Sequence, residues 1–220
     1  MHNGLYINLG SYYGPEVAQI LFYNKGVHEP QEEYVFSLVL KDMPQGATMI
    51  EMGSFWAFYS MWFQKAIPNA KNFMIEPESF NITSGKKNFN LNRLKGDFVQ
   101  AFISSKSGKL QGIDVICVDD FVVDKKIEFI HLLHSDIQGY EYEMLQGAKK
   151  TIDSNKIGYI FLSTHTNDLH YKCLEFLKLK GFHIVASADL NQTYSDDGLI
   201  VAKSNNIKGI DAVEISLKKS

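Results

Sequence analysis

The sequence predicts an α/β fold: a mainly parallel sheet with helices on both faces, ending in an antiparallel hairpin. Two observations predict it. From Thr48 onward, short apolar runs alternate with helix-like stretches, which implies parallel strands covered on both faces. Near the end, His183–Ala186 and Gly198–Ala202 read as strands, and the polar stretch between them, around Asp189–Asp197, holds no helix. A parallel pair needs a crossover of about a dozen residues, usually helical, so these two should pair antiparallel.

The elements follow in order. Residues 1–45 show weak periodicity apart from a helix near Glu32–Leu40, with Tyr34, Leu38 and Lys41 on one face, closed by Gly46. Thr48–Met52 is an apolar strand ending at Gly53. A helix runs from about Phe58 to Ile67 and stops at Pro68-Asn69. Asn72–Ile75 is a second buried strand, ending at Glu76-Pro77, and Asn81–Asn90 is helix-like. Asp97–Ser104 reads as a third strand and Ile113–Val118 as an inserted edge strand. Phe129–Leu133 is a fourth core strand, ending near Asp136. Gly139 leads into a helix with Met144, Leu145, Ala148 and Ile152 on one face. Gly158–Leu162 is the fifth strand. Leu169, Cys173, Phe176 and Leu177 stripe the next helix, which Gly181 stops.

A chain of 220 residues with 45% hydrophobic content fits one generous domain. Residues 1–45 read as an extension or lid packed on a main domain spanning 46–220. The 22 basic and 25 acidic residues leave a net charge of −3, which argues against a nucleic-acid partner or a polybasic membrane surface. No apolar run approaches the roughly 18 residues of a membrane span. The N-terminus lacks a basic segment followed by an apolar one, so no signal peptide is expected. Cys117 and Cys173 have no metal-ligand spacing and read as buried free thiols, which sets the expectation of a reducing, cytoplasmic location. Nothing in the sequence speaks to oligomeric state.

Ligands of open α/β sheets sit outside the C-terminal ends of the strands. Two carboxylates occupy such ends: Glu51, followed by Met52-Gly53-Ser54, and Glu76, followed by Pro77. A carboxylate ending the second strand can accept hydrogen bonds from both hydroxyls of a ribose. The first turn, Gly53-Ser54-Phe55-Trp56-Ala57-Phe58, lacks the glycines that admit a pyrophosphate. That weakens a dinucleotide reading and suits S-adenosylmethionine, whose sulfonium and amino groups favour an acidic neighbour such as Glu51. Acidic strand ends are also common because strand ends are exposed, so the pair alone does not decide. An oxidoreductase that binds a nucleotide and a cofactor binder without catalysis are the alternatives.

Three blocks make the choice. They are Met49–Ser60; Ile75–Asn81 followed by Lys87–Asn92; and Leu132-Leu133-His134-Ser135-Asp136-Ile137-Gln138-Gly139-Tyr140-Glu141, continuing to Ala148. Over roughly residues 46–203 the chain resembles the FkbM family of methyltransferases, and the third block is similar to the family's Lys-Ile-Asp-Val-Gln-Gly-x-Glu run. The resemblance implies a Rossmann-like class I methyltransferase fold. It implies that Glu51, Gly53, Ser54 and Phe55 form the first S-adenosylmethionine motif and that Glu76 binds the ribose. Ser79 would lie near the adenosine, and Ile103 and Ser104 would border the adenine. It implies hydroxyl acceptors, often on sugars. The family usually has Asp, Asn and Gly where Glu51, Phe55 and Ala57 stand, and Lys where His134 stands.

Methyl transfer to a hydroxyl needs a general base within reach. His165 is preferred, because its unperturbed pKa lies near neutrality; Asp136 and His134 are the other candidates. Asp136 can instead orient His165, bind acceptor hydroxyls or hold a divalent metal such as magnesium. Glu141 is a carboxylate for the acceptor side, or one that complements its helix N-terminus. Tyr12 and Tyr13 suit stacking on a sugar acceptor and suit a lid equally.

Overall fold

The computed structural model describes residues 1–218. Three helices precede the sheet: α1 (Gly14–Val17), α2 (Gln19–Tyr23) and α3 (Pro30–Val39), the last followed by a 3-10 turn at Leu40–Asp42. Then come β1 (Thr48–Met52), α4 (Phe58–Ala66), β2 (Lys71–Glu76), α5 (Ser79–Leu91), β3 (Asp97–Ile103), β4 (Gly108–Leu110) and β5 (Ile113–Ile116). The chain continues with α6 (Val118–Asp124), β6 (Ile130–Ser135), α7 (Glu141–Gly147), α8 (Lys149–Asp153), β7 (Ile157–Thr164), α9 (Asn167–Leu179), β8 (Phe182–Ala188) and β9 (Gly198–Ser204).

One nine-stranded sheet runs in the order β4-β5-β3-β2-β1-β6-β7-β9-β8. β1, β2, β3, β5, β6 and β7 pair in parallel. β9 is antiparallel to both β7 and β8, so the predicted terminal hairpin is present and wedges its second strand into the sheet. Strand alternation splits the core in two. Met49, Leu132 and Phe161 face α4 and the N-terminal segment, whereas Ile50, Leu133, Ile160 and Leu162 face α6, α7 and α9.

Four local readings change. The buried face of α3 is Glu32, Val35, Phe36 and Val39, while Tyr34 and Lys41 are exposed. Hydrophobic periodicity counted Glu32 as polar, but it is buried against His134. The edge strand stops at Ile116, because Cys117 caps α6 and Val118 turns into that helix. β4 was not foreseen: all three of its residues are exposed, so it has no alternation to read. The helix after Gly139 breaks at Ala148 into α7 and α8, although Met144, Leu145, Ala148 and Ile152 are all buried as expected. Cys117 and Cys173 are free and buried. No helix among the described residues is long and apolar enough to cross a membrane.

The N-terminal segment is pinned by buried polar contacts. Glu32 accepts from Ser163 Oγ at 3.1 Å and lies 2.7 Å from His134 Nε2. Glu33 accepts the N–H groups of His28 and Glu29 and pairs with the rings of His28 and His2.

Candidate active site

β1 and β6 are neighbours, and the sheet order reverses between them, which opens a crevice at their C-terminal ends. Gly53 stands at its base. Its N–H donates to Ile75 O at 2.9 Å, and the Asp136 N–H donates to Met52 O at 2.9 Å. Gly53 has φ 71°, and a Cβ there would come within 1.6 Å of the Asp136 carbonyl oxygen. The glycine is therefore required first by the approach of β6, before any ligand.

The turn that follows is strained. Phe55 (φ 45°) and Ala57 (φ 64°) both adopt left-handed backbone, where Gly and Asn are preferred. These are the two positions at which the related family carries Asn and Gly. Ala57→Gly relieves about 1–2 kcal/mol of left-handed strain but loses a buried methyl and backbone order worth about as much. Its melting temperature should stay within about 3 °C of the parent. Ala57→Val, with a branched side chain at positive φ, should lose about 2 kcal/mol or more. Thermal unfolding of both variants checks this.

Glu51 is buried, and one of its oxygens accepts the Ser60 N–H at 3.1 Å. Burial pushes its pKa up to about 7, against the opposing pull of His134. The Ser54 hydroxyl is buried with no partner. Glu76 ends β2 and organises the turn: Oε2 accepts the Phe55 N–H at 3.0 Å, and Oε1 accepts the Glu78 N–H at 3.0 Å and Asn81 Nδ2 at 3.1 Å. Burial raises the Glu76 pKa, and these donors oppose the rise.

A cavity of about 840 Å³ opens beside Glu76, bordered by Phe55, Asn81, Ile103, Ser104 and Asp136. Its size suits a nucleoside-sized ligand. Ser79 is not among its walls. It is exposed at the first turn of α5, and Glu78, Phe80 and Asn81 border the cavity in its place. Asn81 was missed by sequence reading, although it lies five residues past Glu76, on the first turns of a predicted helix.

A second, more polar cavity of about 460 Å³ meets the first at Tyr13, Gly53, Phe55, Asp136 and Gln138. Tyr12, Glu29, Glu51, Ser54, His134 and Asp197 are among its walls. His165 stands beside it with three carboxylates around the ring. Nε2 lies 3.2 Å from Asp136 Oδ1 and 3.3 Å from Asp197 Oδ1, and Nδ1 lies 3.1 Å from Glu141 Oε1. Burial would lower the His165 pKa, but Asp136 and Glu141, with Asp197, outweigh it and push it up to about 10. Asp197 is raised to about 7 by burial, which the neighbouring imidazole only partly offsets.

Three expectations change here. His165 was preferred as base for a near-neutral pKa; in this environment it is an imidazolium at neutral pH and has no lone pair to offer. His134 is only 3% exposed and paired with Glu32, which holds its pKa at about 9 despite burial. It is a fixed cation beneath the site, not a base. Glu141 is 0% exposed and accepts the Ile137 and Gly139 N–H groups, so it is a supporting group and does not reach the acceptor side. Glu29, the N-terminal loop carboxylate that suits acceptor hydroxyls together with Tyr12 and Tyr13, borders this cavity, whereas Asp197 went unread because no local motif marks a carboxylate that reaches the site from a distant loop. Two groups bring possible metal-ligand atoms within 4.8 Å of one another: Asp136–Glu141–His165 and Glu29–Asp136–Asp197.

Solved structures with this fold include the precorrin-6y C5,15-methyltransferase of Geobacter metallireducens GS-15. It is 16% identical, with 79% of this chain and 87% of that one covered and a TM-score of 0.57. M. capricolum TrmK in complex with S-adenosyl-homocysteine is 14% identical, with 83% and 71% covered and a TM-score of 0.52. An rRNA methylase from Streptococcus thermophilus is 9% identical, with 78% and 94% covered and a TM-score of 0.55. No curated protein sequence matches the chain. The sequence model of the methyltransferase FkbM domain matches residues 75–184, half of the chain, from the strand that carries Glu76 to the start of the terminal hairpin. With that match on this fold, the chain belongs to the FkbM family of S-adenosylmethionine-dependent methyltransferases.

Proposed function

We propose that the protein transfers a methyl group from S-adenosylmethionine to a hydroxyl of a saccharide or similar small hydroxylated acceptor. One observation carries this reading: two cavities of different character meet at Asp136. The larger, less polar one has the ribose-binding carboxylate Glu76 and the apolar wall of Ile103 for an adenosyl group. Phe80 and Tyr140, exposed at its edge, gain cover when the adenine binds. The smaller one offers tyrosines for stacking and carboxylates that accept from hydroxyls.

S-adenosylmethionine, when bound, would supply the methyl group and would depart as S-adenosylhomocysteine; the residues around the polar cavity would align an acceptor hydroxyl with it and take up the hydroxyl proton. The cofactor supplies the reactive methyl, and the protein supplies alignment and the proton route. Asp136 and Asp197 are the acceptors within the cavity, while the imidazolium of His165 holds them in place.

Some proteins of this fold are RNA methylases. A polyanionic acceptor is disfavoured here, because Glu29, Asp136, Asp196 and Asp197 border the polar cavity and, among the described residues, no Lys or Arg does so.

Thermal unfolding with S-adenosylmethionine, S-adenosylhomocysteine and NAD tests the cofactor. Both adenosyl compounds should raise the melting temperature and NAD should not; a shift with NAD alone contradicts the reading. With the cofactor bound, Asp197→Asn should cut turnover about 100-fold or more while leaving S-adenosylhomocysteine affinity within about threefold, on the scale of general-base contributions. Unchanged turnover removes Asp197 from the proton route.

A further inference from the structure

We propose that Gln31, on the first turn of α3, is a positioning residue for the acceptor side: it holds the loop between β8 and β9 so that Tyr194 and Asp197 stand at the polar cavity. The proposal rests on the reading of that cavity as the acceptor's place.

The loop, residues 189–197, has two halves. The first is tied by its own turn and by α9. Asp189 O accepts the Gln192 and Thr193 N–H groups at 2.9 and 3.0 Å, the Tyr171 hydroxyl donates to Asp189 Oδ2 at 2.6 Å, and Asn167 Oδ1 accepts the Leu190 N–H at 3.0 Å. The second half faces the cavity, which Tyr194, Ser195, Asp196 and Asp197 all border. Its hydroxyls bond within the loop: Thr193 Oγ1 donates to Ser195 O at 3.1 Å, and Ser195 Oγ to Asp197 O at 3.2 Å. The Tyr194 N–H donates to Gln31 Oε1 at 2.9 Å. Among the described residues, no other backbone hydrogen bond ties residues 193–197 to a separate element.

The other end of the same amide completes a clasp. Gln31 Nε2 donates to Gln192 O at 3.2 Å and to Ser216 O at 2.7 Å. The segment after β9 joins in: the Lys218 N–H donates to Gln192 O at 2.8 Å, and the Tyr194 hydroxyl to Leu217 O at 3.1 Å. One amide, 5% exposed, thus uses both donors and its acceptor on chain segments more than 160 residues away. Only an amide of this length offers that set. A carboxylate would set an oxygen against two carbonyl oxygens, and an apolar side chain would leave buried backbone groups unpaired.

α3 is itself fixed to the strands of the site. Glu32, the next residue, reaches His134 on β6 and Ser163 on β7. Gln31 therefore sets the loop relative to the strand ends that carry Asp136 and lead to His165. Asp197 is held on one side by β9, which starts at Gly198, and on the other by Ser195, which follows the tethered Tyr194. That double hold keeps Asp197 Oδ1 3.3 Å from His165 Nε2.

The test uses the full chain and three variants. Gln31→Met keeps the side chain's size and loses all three bonds. Gln31→Asn is too short to reach the Tyr194 N–H and Ser216 O together. Asp197→Asn is the reference. Hydrogen exchange at the Tyr194 amide should speed up about tenfold or more in both Gln31 variants, while the amides of β6 and β7 keep the parent rate. The ring-nitrogen resonances of His165 at pH 7, assigned by their loss in His165→Ala, should move in both Gln31 variants in the same direction as in Asp197→Asn. A residue that only stabilised the fold would leave them in place. Affinity for S-adenosylhomocysteine should stay within about threefold of the parent, because the cofactor cavity is a separate site, and this shows that the variants fold. A Tyr194 amide that keeps the parent rate, or His165 resonances that move in Asp197→Asn but in neither Gln31 variant, overturns the proposal and leaves the reading of the cavity standing. Resonances unmoved in Asp197→Asn as well contradict the pairing of Asp197 with His165, and the proposal falls with it.

Discussion

Replacing Gly53 with alanine should cost the protein more stability than any other single methyl. The added Cβ would lie 1.6 Å from the Asp136 carbonyl oxygen, which is backbone and cannot swing aside. Relief requires β1 and β6 to part at the Met52–Asp136 hydrogen bond, where the sheet order reverses. The left-handed φ of 71° adds about 1–2 kcal/mol for any L side chain. A loss of about 4 kcal/mol or more is expected, in the range reserved for identifiable steric failures. At about 2–4 °C per kcal/mol for a chain of this size, the melting temperature should fall by about 10 °C or more. Variant chains that stay folded should lose S-adenosylhomocysteine binding, since the crevice and the turn that carries Phe55 move together. A melting temperature within about 3 °C of the parent would contradict this account of the turn.

Glu51→Gln should do the opposite to stability. The folded-state pKa of Glu51, about 7, lies above its ordinary value of 4.5. Between those values the native chain keeps a proton that the unfolded chain has released, so stability falls as pH rises through this window and stays low above it. The shift of 7 minus 4.5, at about 1.4 kcal/mol per unit, corresponds to a penalty of about 3.5 kcal/mol above pH 7. His134, held as a cation by Glu32, already offsets part of the burial cost. Glutamine keeps a carbonyl oxygen for the Ser60 N–H and carries no charge. The variant should be more stable than the parent at pH 8 and no more stable at pH 4.5, as read by urea unfolding at both. It should also bind S-adenosylmethionine about tenfold more weakly or worse, because the cofactor's positive groups are the natural partners of that charge. Equal stability gains at both pH values would show that Glu51 does not carry the proton assigned to it.

Much of this arrangement was legible in the sequence because it is local. Apolar runs fixed most of the sheet's strands, and the polar stretch around Asp189–Asp197 was too irregular to hold a crossover helix, which gave the hairpin. Glu51 and Glu76 stand at strand ends, where position alone suggests a ligand. The rest depends on what comes together in space. Periodicity could not foresee that α3 buries Glu32, since the imidazole that makes burial tolerable is 102 residues away. A reference pKa could not foresee that His165 is a cation, because its three carboxylates come from the end of β6, from α7 and from the loop before β9. Phe55 and Ala57 showed only as departures from a family pattern; the left-handed backbone explains why that pattern has Asn and Gly there.

The central claim is that Glu76 holds the cofactor's ribose, and calorimetry with S-adenosylhomocysteine tests it most directly. Glu76→Gln keeps an oxygen for the Phe55 or Glu78 N–H, so the turn should persist and the variant should fold. It loses the charge and one of two acceptors, and hydrogen bonds to a charged group contribute about 1.5–3 kcal/mol each. The account predicts that affinity falls about 100-fold while the melting temperature without ligand changes little. Binding within about threefold of the parent chain would contradict it.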